Sequence, residues 1–200
     1  MSVDRTIWTL EDTEFPDLLP MQNRSPGIHV SDVIDVWQGY EQDGAVDNEV
    51  LGRMQLGCAL EDAIVHRTLM HYGLDPGYEL EMDNLFGTFD ALSYIDTGVA
   101  QIAEIKLTSK IESPLPIDYP NQREDFNFAL DDKFAAWQMQ LKAYCYMYGT
   151  NYGQLINVHV RRDLTAHWRR RTVVFSDADL ATNWAVIRNT AEFMRQQSEE

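Results

Sequence analysis

Cysteine is scarce in this 200-residue chain, with only Cys58 and Cys145, far apart and each in a helix-like stretch. Neither belongs to a C-x-x-C pair, which argues against structural zinc and makes a reducing cytoplasm the natural home. Long apolar runs are missing too: nothing approaches the roughly 18 uncharged apolar residues of a membrane span. The opening MSVDRTIWTLEDTEF lacks the basic start and apolar core of a signal peptide. Positive charge is in short supply, with 16 basic against 32 acidic residues and a net charge of −16. That balance ordinarily argues against a polyanionic partner. The glycines form no G-x-x-x-x-G-K-[ST] phosphate loop. His66 and His71 are five apart, so they do not share a helix face as a zinc pair would. Ser31 and Ser109 have no convincing His/Asp companions for nucleophilic catalysis.

What is present suits one domain, because 44% hydrophobic residues in 200 is ample for a single core. Residues 1–28 contain Pro16, Pro20 and Pro26 with little periodicity and read as an irregular arm, leaving 29–200 as the domain. Ser31 looks like the cap of a short helix, DVIDVWQGY. Helical spacing runs from Asn48 to Tyr72, with Leu51, Met54, Leu60, Ile64 and Leu69 as candidate core and Gly73 as the stop. GYELEMD, LFGTFDALSYID and VAQIAEIKLTS then read as a three-stranded meander turning at Thr97-Gly98. Residues 108–130, with three prolines, form a long connection. LDDKFAAWQMQLKAYCYMYG predicts a helix ending at Gly149, QLINVHVRR and AHWRRRTVVF a second hairpin around Asp163, and Ser176 caps a last helix. The expected class is α/β with a central mixed sheet, meander plus C-terminal hairpin, flanked by helices.

The informative stretch is AQIAEIKLTSK, where Glu104 and Lys106 sit on one face of an apolar strand with Ile105 on the other. Counting back from the Thr97-Gly98 turn brings Asp90 level with Ala103 to Ile105, within cross-strand reach of Glu104. Two carboxylates that close repel unless a cation lies between them. All-oxygen ligation suits Mg²⁺ or Mn²⁺, and a lysine beside such an ion can stabilise charge on a phosphorus centre. The competing reading is a solvent-facing polar stripe on an antiparallel edge. Asp131-x-Lys133 matches the same acidic-x-Lys triplet, but it opens a helix, where acids simply favour the dipole. Glu61, four residues after Gly57, points either inward among Leu60 and Ile64 or outward beside Asp62. Gln140 and Tyr144 lie one turn apart on an apolar helix stripe. There the glutamine either finds a buried partner or keeps its amide in water.

Taken in order, Gly57-x-x-x-Glu61, Asp90, Glu104-x-Lys106 and Gln140-x-x-x-Tyr144 resemble the PD-(D/E)XK nuclease superfamily. More narrowly they are similar to the branch of RecB nuclease domains, lambda exonuclease and the CRISPR adaptation exonucleases, over about residues 48–175. The resemblance implies a restriction-endonuclease-like core. It implies that Asp90, Glu104 and the Ile105 carbonyl hold the divalent ion, with Glu61 where many relatives carry a histidine. It also implies that Lys106 serves the attacking water, that Gln140 positions Lys106 or the phosphate, and that Tyr144 supports Gln140. TFD replaces the namesake Pro-Asp, and two cysteines cannot build the four-cysteine iron–sulfur cluster of some relatives. A cluster-free, phage-borne relative is the closer picture.

The acidic excess is uneven: residues 1–100 carry 4 basic and 19 acidic residues, residues 101–200 carry 12 and 13. Arg161, Arg162, Arg169, Arg170 and Arg171 crowd one hairpin and, with Lys110, are the candidate contacts to a nucleic-acid backbone. Alternation puts Arg169 and Arg171 on one face and Arg170 on the other; solvated strand ends are the plainer account. The expectation is a Mg²⁺- or Mn²⁺-dependent deoxyribonuclease, an exonuclease, acting on single-stranded DNA or duplex ends in DNA processing, recombination or repair. A homo-oligomer would gather arginines from several subunits. The alternative is a non-catalytic acidic module on a nuclease scaffold that binds a DNA-processing partner protein.

Overall fold

The computed structural model describes residues 25–39, 64–108, 132–160 and 166–198. A short strand β1 (Ile28–His29) leads into helix α1 (Val30–Trp37), and residues 64–72 form a second helix, α2. Five strands follow: β2 (Asp75–Pro76), β3 (Glu79–Met82), β4 (Leu85–Thr88), β5 (Ala91–Tyr94) and β6 (Ala100–Thr108). Helix α3 (Asp132–Tyr148), the hairpin β7 (Tyr152–Val160) and β8 (Ala166–Val174), and helix α4 (Asp177–Ser198) complete the order. The main sheet runs β2-β5-β6-β7-β8, antiparallel except between β6 and β7. That one parallel pair needs a crossover, and α3 lies within it. The mixed sheet flanked by helices is the α/β class that the sequence predicts.

Both faces of this sheet are covered. On one, Ile102 and Leu155 pack with Leu141, Tyr144 and Cys145 of α3, and behind them lie Val33 of α1 and Trp184 and Ile187 of α4. On the other, Ala91, Ala103, Ile105, Ile156 and Val158 pack beneath Ile64, Val65, Leu69 and Tyr72 of α2. Trp168 Nε1 donates to Thr68 Oγ1 at 2.8 Å, tying β8 to α2. Gly73 ends α2 at φ 64°, as expected of a helix-stopping glycine. Ser176 caps α4 as the sequence predicts: its Oγ accepts the Asp179 amide at 3.1 Å and donates to the Asp179 carboxylate at 2.8 Å.

Two expectations are revised. Helix α1 begins before Ser31; the cap position is His29, whose amide donates to Asp32 Oδ2 at 3.2 Å. Val30, fully buried, is drawn into the first turn by its packing. The meander, in turn, is divided between two sheets. β3 and β4 turn tightly at Asp83-Asn84, both with positive φ, as a two-residue hairpin requires. They form a separate sheet ordered β1-β4-β3. The LFGTFDALSYID signal breaks at Phe89–Asp90, where Phe89 drops into the α3-side core.

Gly77 makes that break affordable to the chain. Its amide donates to the Asp90 carbonyl at 3.0 Å, and an added Cβ would lie 1.7 Å from the Phe89 carbonyl oxygen. Gly77→Ala must push the Phe89–Asp90 backbone aside, and overpacking of this kind costs about 1–3 kcal/mol. Thermal melting should show a loss on the order of 5 °C, and an unchanged melting temperature would contradict the close approach.

Candidate active site

β5 begins at Ala91, paired with Ala103, so the residue before it stands level with Glu104. There the side chain replaces the ladder: Asp90 Oδ2 accepts the Ile105 amide at 2.7 Å. In an extended strand the amide and carbonyl of one residue leave toward the same side. The Ile105 carbonyl therefore points to the strand edge that Asp90 occupies. The Ile105 side chain is buried under α2, as alternation predicts.

Glu104 and Lys106 face α3. The Glu104 side chain is 1% exposed and that of Lys106 16%. Lys106 Nζ lies 2.8 Å from Glu104 Oε2 and donates to Gln140 Oε1 at 2.8 Å. Gln140 Nε2 in turn donates to the Tyr144 hydroxyl at 2.8 Å. Gln140 is thus not a boundary residue with its amide in water, and the polar stripe is not solvent-facing. Tyr144 packs closely over Gly87, where an added Cβ would come within 2.7 Å of its ring.

One oxygen is left over. Glu104 Oε1 is buried without a hydrogen-bond partner. Burial holds the Glu104 carboxyl well above the ordinary carboxylate range; the Asp90 charge adds to this, and Lys106 opposes it. A buried acceptor without a donor, next to a second carboxylate and a strand-edge carbonyl, is an all-oxygen set that fits a hard divalent cation. Among the described residues no group of three or more His, Cys, Asp or Glu side chains converges, and Glu61 lies outside the described residues. Beneath the site the Cys145 thiol is pushed up to about 12 by burial and by Glu104, so it stays protonated.

The basic candidates are divided. Arg161, Arg162 and Lys110 lie outside the described residues, as does the side chain of Arg169. The Arg170 guanidinium sits 5.5 Å from the centre of the Tyr72 ring, on the α2 side. Arg171 is on the opposite face, donating to Asn157 Oδ1 at 2.8 Å. Asn157 is a residue that the motif reading passed over. It is 3% exposed and in register with Lys106. Its signal was available as a lone amide in the apolar strand run LINVHV.

No protein-family model matches the chain, and no curated protein matches it in sequence. Among solved structures the fold is similar to the alkaline exonuclease LHK-Exo from Laribacter hongkongensis, 12% identical over 86% of this chain and 93% of that one, with a TM-score of 0.46. It is similar to a phage related exonuclease from Haemophilus somnus 129PT, 16% identical over 80% and 75%, with a TM-score of 0.47. The protein SSO0001 is 16% identical over 87% and 79%, with a TM-score of 0.49.

A raised carboxyl pKa has a signed consequence. The unfolded chain releases this proton near the ordinary value of 4.5 and the folded chain holds it to higher pH. Folding stability from Glu104 is therefore fully present below 4.5 and lost as pH rises toward the folded value. In EDTA, denaturation series should show wild type losing stability relative to Glu104→Gln as pH rises from 4.5 to neutrality. Saturating Mn²⁺ should flatten the wild-type slope and leave the variant unaffected. A difference independent of pH would show that Glu104 ionises normally.

Proposed function

We propose that the chain is a Mg²⁺- or Mn²⁺-dependent deoxyribonuclease, an exonuclease that hydrolyses phosphodiester bonds of single-stranded DNA or duplex ends. The observation that carries this is the buried Glu104 carboxylate, with one oxygen on Lys106 and the other without a donor, beside Asp90. Asp90, Glu104 and the Ile105 carbonyl would hold the cation, which supplies Lewis acidity at the phosphorus centre. Glu61 is the candidate fourth ligand.

The chain's own groups do the rest. Glu104 and Gln140 hold the Lys106 ammonium at 2.8 Å each, so it cannot swing away from the site. There it orients the attacking water and stabilises negative charge as the new P–O bond forms and the bond to the leaving oxygen breaks. Tyr144 fixes the Gln140 amide, which keeps its oxygen on Lys106. Roles in recombination, repair or a phage life cycle, a cytoplasmic setting and assembly into a homo-oligomer extend this reading. Among the described residues no helix is long and apolar enough to cross a membrane. The net charge of −16 favours a second reading, a non-catalytic acidic module that binds a DNA-processing protein.

Labelled linear DNA with and without Mn²⁺ separates the two. Cleavage by wild type should depend on the ion and fall by roughly 10²–10³-fold in Lys106→Ala, the scale of losing one transition-state donor. Calorimetric titration should show that Lys106→Ala still binds Mn²⁺ while Asp90→Ala and Glu104→Ala do not. Wild-type cleavage by Lys106→Ala, or no cleavage by wild type, rejects the assignment.

A further inference from the structure

Three tyrosines meet where the end of α3 lies against the strands. Tyr78 links β2 to β3, Tyr94 ends β5 and Tyr148 ends α3. The Tyr78 ring packs edge-to-face with buried Phe89, their centres 4.9 Å apart, and the Tyr148 ring lies 6.0 Å from the same Phe89. The Tyr148 hydroxyl is within hydrogen-bonding reach of the Tyr78 and Tyr94 hydroxyls. Even so, Tyr78 is 49% exposed and Tyr94 58%. Single exposed aromatics are ordinary on a protein surface, but two exposed rings tied to a third form a patch.

The patch adjoins the candidate metal site. Tyr78 follows Gly77, whose amide donates to the Asp90 carbonyl at 3.0 Å, and Phe89 directly precedes Asp90. Tyr94 shares with Leu92 the α3 face of the sheet, the face that also carries Glu104 and Lys106. It lies about 13 Å along the strand from Asp90 at the usual rise. On α3, Tyr148 stands one turn beyond Tyr144 on the helix face that holds Gln140. The exposed rings therefore begin beside Asp90 and lead away from it. Asp75 and Asp96 are exposed in the same segments, so charge does not recommend this surface to a polyanion; ring area does. The part of a DNA strand that binds aromatic rings without a cation is the base, and stacking of this kind tolerates any sequence.

We propose that Tyr78 and Tyr94 form a base-stacking platform that holds the unpaired substrate strand beside the phosphate being cleaved at Lys106. The proposal rests on the nuclease reading for the identity of its ligand, and Tyr148 is a positioning residue within it. Rings already held by Phe89 and Tyr148 lose little freedom when a base stacks on them, so the contact is realised as affinity. Bases inside a duplex have both faces covered by their neighbours, so the platform selects an unpaired strand. An acidic protein thereby holds DNA through contacts that its own charge and added salt do not weaken.

The test uses a single-stranded 12-mer, fluorescein-labelled at one end and titrated by anisotropy in EDTA at several NaCl concentrations. Tyr78→Leu, which keeps apolar bulk against Phe89, should weaken binding roughly tenfold, the scale of one base–aromatic stack. The slope of log affinity against log salt should stay that of wild type, because no phosphate contact is lost. Tyr94→Leu should behave alike, and Tyr94→Trp should bind at least as tightly as wild type. 2-Aminopurine placed at each position of the strand in turn should be quenched by wild type where it stacks. Tyr148→Phe should reduce that quenching with the salt slope unchanged. An abasic nucleotide at the quenched position should weaken wild type and leave Tyr78→Leu no weaker than before; its effect on wild type carries the test if a variant does not fold. Wild-type affinity in both leucine variants, or a loss accompanied by a flatter salt slope, would overturn the platform while leaving the nuclease reading intact. Cleavage in Mn²⁺ without base quenching at any position does the same. Wild type that binds and quenches as expected but does not cleave keeps the platform and removes the nuclease reading. Absence of both binding and cleavage overturns both.

Discussion

The Glu104 carboxylate is the constraint around which the site is arranged. Taking a carboxylate out of water costs several kcal/mol even after relaxation, and a close counter-ion offsets only part of that. Lys106 at 2.8 Å supplies the counter-ion. Asp90 works against it, since a second carboxylate alongside raises the cost of charging Glu104. A chain selected for stability alone would put an apolar residue at 104, as it does at 102. Local consistency fails here and holds around it, which is the pattern expected of a site kept for chemistry. The missing stabilisation is of a specific kind, positive charge on the side of Glu104 that Lys106 does not reach.

The rest of the fold reads as a means of delivering those groups. Asp90 reaches Ile105 because β5 begins only at Ala91, and it begins there because Phe89 is committed to the core and Gly77 lets the backbone turn beside it. On α3 the logic is directional. Lys106 has only donors, so Gln140 must present its oxygen; its nitrogen must then find an acceptor, and Tyr144 provides one a helical turn away. The ring that carries this hydroxyl needs the space that Gly87 leaves. Backbone breaks and glycines far from the chemistry thus decide where two charged atoms sit.

Period-two and period-3.6 patterns were enough to read most of the fold. Alternation through AQIAEIKLT separated Ile105 from Glu104 and Lys106 correctly, because one face was apolar and the other was not. Counting from the Thr97-Gly98 turn set Asp90 near the level of Ala103 to Ile105, because a hairpin fixes register through its loop, and the pairing of Ala91 with Ala103 narrows this to Glu104. The division of the meander was harder to see. Phe89 and Asp90 fit a strand by type, and only the tertiary demand that one enter the core while the other meets Ile105 breaks it. The cap of α1 was misread for a similar reason: Ser31 is the better cap chemically, but burial of Val30 pulled the helix start toward His29. Asn157 was passed over since one amide in a strand carries no motif, and its meaning comes only from Lys106 and Arg171 on the strands to either side.

A net charge of −16 looks incompatible with the phosphate chemistry proposed for the site, yet the total is a poor guide to the field at one point. At physiological ionic strength exposed charges are screened over about 8 Å, so the relevant sum is local. Several described acids are occupied elsewhere. Asp83 takes the Trp184 indole at 2.9 Å and lies 3.7 Å from Arg188, fastening the β3–β4 turn to α4. Asp32 holds the start of α1, and Asp177 and Asp179 sit in the first turn of α4, where the helix dipole favours them. Across β6 to β8 the order is different: two carboxylates at one end that call for a cation, then Lys106, then Asn157 with Arg171 donating to it. With a divalent ion bound, the two carboxylates are neutralised and that end of the row is no longer negative. The acidic total then describes how the helices are capped and anchored, while the polarity of one sheet face describes what it can hold.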